Sequence, residues 1–135
     1  MSTTTYINKP ILTARDAIAS HVRWKITLLL AIRMREPLSS RATHSIQNPA
    51  ECSIRQWLLS SHTQNLRGTP EHAAVLDRHQ QFHIEMQHIA TLINDAQYEA
   101  AEILLNAPGF QKASNAVANA LMCLGRLSSA KFSLK

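Results

Sequence analysis

His79 and His83 stand four residues apart, a spacing that puts both imidazoles on one face of an α-helix. That face is apolar. Leu76 and Met86 flank the pair, in line with Val75, Phe82, Ile89, Ala90 and Ile93. His21 has a similar setting, between Ile18 and Leu28. One histidine on an apolar stripe is an ordinary core residue that finds a hydrogen-bond partner. Two at i and i+4 are harder to satisfy, because burial leaves four ring nitrogens in need of partners. A metal ion takes one nitrogen on each ring. Cys52 adds a thiolate. Together His21, Cys52, His79 and His83 make a closed tetrahedral set suited to Zn2+. A thiolate argues against magnesium and calcium, which take oxygen ligands. Carboxylate-bridged di-iron chemistry needs glutamates and Glu-x-x-His pairs facing inward, and no Glu-x-x-His pair is expected here.

These residues need helices to bring them together. A first helix is expected from about Thr13 to Arg35, with Ala14, Ala17, Ile18, Trp24, Leu28, Ala31 and Ile32 on its apolar side and Pro37 ending it. Residues 36–48 are polar and read as a loop. Asn48-Pro49-Ala50-Glu51 reads as a helix start, with Asn48 capping, Pro49 in the first turn and Glu51 closing a capping box. That second helix is expected to reach about Ser61 and to bury Ile54, Trp57 and Leu58. Gly68-Thr69-Pro70-Glu71 repeats the loop, cap and proline pattern, and opens a long third helix to about Asn94. Asp95 is expected to cap a fourth helix through Ala96, Ala100, Ile103 and Leu104. Pro108-Gly109 breaks it, and a fifth helix runs from about Phe110 to Leu127. The expected fold is all-α, an antiparallel up-down bundle of four to five helices around a buried zinc site. The chain divides into an N-terminal arm (1–12), the bundle (13–128) and a C-terminal tail (129–135).

Depth along such a bundle can be compared. At 1.5 Å per residue, His21 lies about 12 Å into its helix, His79 and His83 about 14 and 20 Å into theirs, and Cys52 about 15 Å above the end of the second helix. With up-down topology all four fall in one layer. Cys52 fits least well, being nearly opposite Ile54 on the helical wheel, so it requires a distorted first turn. A place near a helix N-terminus is expected to lower its thiol pKa.

Composition narrows the function classes. The 135 residues suit one domain, and 45% are hydrophobic, enough for a core. A net charge of +5 is spread along the chain with no basic run, so a nucleic-acid role is not expected. The start MSTTTYINKP lacks a signal pattern, and the apolar stretch 26–32 is far too short to span a bilayer, so a cytoplasmic protein without membrane contact is expected. Two cysteines in a reducing compartment do not argue for a disulfide. Cys123 reads as core in the fifth helix. His44, His62, His72 and His88 read as surface or loop residues.

Three segments resemble the chemoreceptor zinc-binding (CZB) domain of bacteria. His21-Val22-Arg23-Trp24-Lys25 looks like that family's H-x-x-W-K, Cys52-Ser53-Ile54-Arg55-Gln56-Trp57-Leu58 like its C-x-x-G-x-W-L, and His79-Gln80-Gln81-Phe82-His83 like its H-x-x-F-H. Order and spacing agree over roughly residues 13–125. Arg55 departs from the family's glycine. The resemblance implies a cytoplasmic helical bundle, often a homodimer, with zinc on the three histidines and the cysteine. It implies that Trp24, Trp57 and Phe82 pack around the metal. It also implies responses to zinc or to oxidants such as hypochlorous acid, passed to a chemoreceptor or a diguanylate cyclase. The chain has room for neither signalling region, so a free-standing member or a fragment is expected. A structural zinc in a dimerisation module is the alternative. An enzyme is not expected, because four protein ligands leave no open position for water.

Overall fold

The computed structural model describes residues 13–133, with side chains through residue 128. The expected arm at 1–12 lies outside the described residues. Of the expected tail, residues 129–133 continue the last helix, and 134–135 lie outside the described residues. Among the described residues every regular element is helical: α1 (Ala14–Met34), α2 (Ser40–Gln47), α3 (Ser53–Leu58), α4 (Pro70–Asn94), α5 (Tyr98–Leu105) and α6 (Pro108–Ser133), with 3-10 turns at Pro49–Glu51 and Ser61–Leu66. None of these helices is long and apolar enough to cross a membrane.

The long helices α1, α4 and α6 pack on one another, and α5 lies against α1 and α4. Their apolar sides meet in a core containing Leu28, Phe82, Met86, Ile93, Phe110 and Leu121, all almost fully buried. Gly125 of α6 faces the start of α1 closely, and a Cβ there would meet the Ala14 Cβ at 3.0 Å. Thr13 caps α1 by accepting the Asp16 N–H at 3.2 Å, and Thr69 caps α4 by accepting from His72. Gly68 precedes that cap with φ +85, a left-handed conformation that glycine adopts without strain.

Several expectations fail, for reasons that lie in local contacts. The polar stretch 36–48 is not all loop, since it contains α2. Ser39 accepts from the Ala42 N–H at 3.0 Å, and Ile46 is fully buried. The stretch also docks on α4 through Asn94, whose side chain accepts from the Leu38 N–H and donates to Thr43. One apolar anchor plus a cap sufficed for two helical turns, although periodicity was too sparse to reveal them.

The second expected helix is broken. Asn48 does not cap it, and its amide donates back to the His44 carbonyl instead. Glu51 pairs with His44 rather than closing a capping box. A 3-10 turn therefore ends at Glu51, Cys52 is extended, and α3 begins afresh at Ser53.

Asp95 does not cap the fourth helix. It closes α4, and Ala96 turns the chain in the left-handed region at φ 61, with the Gln97 N–H reaching the Leu92 carbonyl. The helix starts at Tyr98, so Tyr98, Ala101 and Leu105 are buried and Ile103 is exposed. The fifth expected helix opens two residues early, at Pro108, and Cys123 lies on its exposed side rather than in the core.

The segment joining α3 to α4 is held by one shared acceptor. The Leu58 carbonyl accepts from the Thr63 hydroxyl and from His72 Nε2–H, each at 2.7 Å. Thr63 is fully buried, and His72, expected at the surface, is buried too. Replacing Thr63 by Val keeps the shape and removes the donor. It is expected to cost about 1–2 kcal/mol, read as a lower urea midpoint with unchanged slope.

Candidate metal centre

Cys52, His79 and His83 are all buried, and one potential ligand atom from each lies within 4.8 Å of the others. This cluster could hold a metal ion. α4 supplies both histidines from its inward face, where the rings sit 4.5 Å apart edge to face. Cys52 arrives by another route than the one expected. It caps α3 at a break between two short helical pieces, with extended φ and ψ of -67 and 139. An extended residue can aim its side chain inward while Ile54 also points to the core. The wheel conflict between Cys52 and Ile54 disappears for that reason.

His21 falls outside the set formed by these three residues. It is buried beside them, with its ring 4.2 Å from that of Phe82. Its Nε2 lies 3.1 Å from both the main-chain carbonyl and the hydroxyl of Ser114, in α6. A carbonyl can only accept, so Nε2 carries the proton and Nδ1 has the free lone pair. The same logic applies to His83. Its Nδ1–H donates to the Ile46 carbonyl at 3.0 Å, leaving the lone pair on Nε2.

One nitrogen on each ring is therefore left over. His21 Nδ1, His79 Nε2 and His83 Nε2 are all buried with no hydrogen-bond partner among the described residues. On His21 and His83 the leftover atom is a bare lone pair, which needs a donor or a Lewis acid. Trp57 Nε1 and Arg55 Nε are buried without partners as well, but both are N–H donors, which a metal would not satisfy.

The electrostatics keep the imidazoles neutral. Burial lowers His21 to about 4 and His79 to about 3, and nearby histidines oppose protonation of both. Arg55 adds to that effect on His79. Burial lowers His83 as well, against the pull of its bond to Ile46. Cys52 departs from expectation, because burial pushes its thiol up. The amides of Ile54, Arg55 and Ser53 pull the other way, without completing a capping hydrogen bond to the sulfur. Neutral imidazoles are ready to ligate, whereas the thiol needs a cation to lose its proton readily.

Comparison of the chain with family models, with curated proteins and with solved structures finds no match in any of the three.

Among the aromatic residues expected around the site, Phe82 is the one in ring contact with it, touching both His21 and His83. Trp57 is buried on the short helix that Cys52 caps, and Trp24 is half-buried against the core. A Glu-x-x-His spacing does occur, at Glu85 and His88, but it lies off the inward face and His88 is exposed. The two residues missed in the sequence are Ile46 and Ser114, whose carbonyls orient His83 and His21. Ile46 acts through its main chain, so its residue type gave no signal, whereas Ser114 also meets His21 Nε2 with its hydroxyl and was not singled out because nothing in its local sequence marks it.

Because the three buried histidines titrate below their ordinary value of 6.5, the unfolded chain binds more protons than the folded one in acid. Stability therefore rises with pH in that window, and is lost as pH falls from about 6.5 toward about 3. Urea unfolding of the metal-free protein is expected to show its midpoint dropping across this window. A His21→Phe variant is expected to show a shallower drop.

Proposed function

We propose that the chain is a cytoplasmic zinc-binding sensory domain of the CZB type, with His21, Cys52, His79 and His83 as ligands. One observation carries the metal reading. Two buried imidazoles have their lone pairs fixed by carbonyl partners and left without a donor, next to a third imidazole and a thiol. That donor chemistry fits zinc, which would accept the lone pairs, lower the thiol pKa and cross-link the elements that carry the four side chains. On this reading the long helices run as an antiparallel up-down bundle.

The sensory part rests on the motif resemblance and on Cys52. That residue is the set's one redox-active side chain, and it sits at a break between helical pieces rather than within a rigid helix. Oxidation of Cys52 would remove a ligand, loss of zinc would remove the cross-link itself, and either would let the 49–66 segment shift against α4. A second copy or a separate chemoreceptor or diguanylate cyclase would read that shift. Exposed Val22, Ile26, Leu30 and Met34, spaced four residues apart along α1, support a homodimer. With all four side chains bound, no ligand position would be left for substrate, so on this reading the domain binds and signals rather than catalyses.

A structural zinc is the second reading, favoured by the burial of Cys52, at 5% exposure. Thiol counting tests the metal reading, because exposed Cys123 reports in every state. Zinc-loaded protein is expected to hold one equivalent and to show one fast thiol. After chelation a second thiol, Cys52, is expected to react. Protein that retains no zinc after loading removes the metal reading. A Cys52→Ser variant that responds to zinc and oxidant like wild type removes the sensor.

A further inference from the structure

We infer that Ser114 is a positioning residue of the metal centre, and that it makes His21 a ligand through Nδ1 while His79 and His83 ligate through Nε2. This inference rests on the zinc reading above.

His21 is held on two sides. The Phe82 ring lies 4.2 Å away, tilted by 53°. The edge of the imidazole meets Ser114, whose carbonyl and hydroxyl oxygens both lie 3.1 Å from Nε2. The carbonyl oxygen can only accept, so it fixes that nitrogen as the donor, and the hydroxyl oxygen beside it can accept the same proton. The opposite edge carries Nδ1, which is buried and unpartnered. Turning the ring over would take the proton away from both oxygens and place a carbon against them. The ring is thus locked in tautomer and in orientation, with its lone pair on the nitrogen nearer the backbone.

The α4 histidines are arranged the other way. His83 is anchored by Nδ1, and the nitrogen that is buried without a partner among the described residues is Nε2 on both His79 and His83. Ligation through Nδ1 brings the metal closer to the α1 main chain than ligation through Nε2 would, because Nδ1 is bonded to Cγ. Reach and tautomer are therefore matched differently on the two helices. α6 lends no ligand, yet it enters the centre through Ser114 and so couples its own position to that of His21. Metal-bound histidines commonly need such a partner on the distal nitrogen, and its loss weakens binding.

The test uses the full chain with ¹⁵N-labelled histidine, loaded with ¹¹³Cd as a zinc probe. Long-range proton–nitrogen spectra and cadmium–nitrogen couplings identify the bound nitrogen on each ring. The expected result is coupling to Nδ1 of His21 with its Nε2 protonated, and coupling to Nε2 of His79 and His83. Coupling to Nε2 of His21, or none to His21 beside couplings to the other two, overturns the inference and leaves metal binding intact. No coupling to any histidine removes both. In parallel, Ser114→Ala keeps the carbonyl and loses the hydroxyl. Zinc affinity is expected to fall about tenfold with helix content unchanged, and Ser114→Thr is expected to restore it. Unaltered affinity in Ser114→Ala overturns the role given to Ser114.

Discussion

A neutral imidazole brings one donor and one acceptor into the core, and the protein must answer both. Around His21 and His83 it answers only the donors. Main-chain carbonyls of Ser114 and Ile46 take the protons, and no hydrogen-bond partner among the described residues meets the lone pairs. Leaving such atoms buried is costly, and a third imidazole and a thiol at the same place multiply the cost. Apolar residues of similar size would fill the space without it. The histidines on the α1 and α4 stripes therefore shape the rest of the molecule, including the contacts of α2 and α6 that orient them.

The long helices were legible because their periodicity is strong. α4 was expected between Gly68-Thr69-Pro70 and Asn94, and occupies Pro70–Asn94. Inward placement of His21, His79 and His83 followed from phase alone, since each lies in line with residues that had to be buried. The centre's short elements were not legible. α2 has one buried apolar residue and a cap, too little for a periodic pattern, although its Ile46 carbonyl sets the His83 tautomer. Asn48 and Glu51 have the types of a capping box, but His44 engages both side chains. Local rules named the right kinds of interaction there and the wrong partners, because His44, a few residues upstream, competed for both side chains.

Cys52 shows how a correct placement can come from an incorrect path. Depth along a continuous second helix put it level with the α4 histidines. No such helix exists, yet Cys52 is within reach of both. The break frees Cys52 from helical phase and lets it point inward beside Ile54. His21 shows the converse. Its helix is as expected, but its ring is engaged by α6 and stands just outside the cluster of three. Periodicity gives the side a residue faces and not the partner that holds its side chain.

The ligand set is distributed unevenly along the chain. His21, Cys52 and His79 are separated by stretches of roughly thirty residues each. A tie at their meeting point would close two long loops and remove much of the conformational freedom of the unfolded chain up to His83. Beyond that point the tie constrains nothing directly. α5 and α6 are kept in place by apolar burial and by contacts such as that of Ser114 with His21. The molecule would then have two halves that resist unfolding by different means, one by chain connectivity and the other by packing. Local opening would begin in whichever half its own constraint protects less.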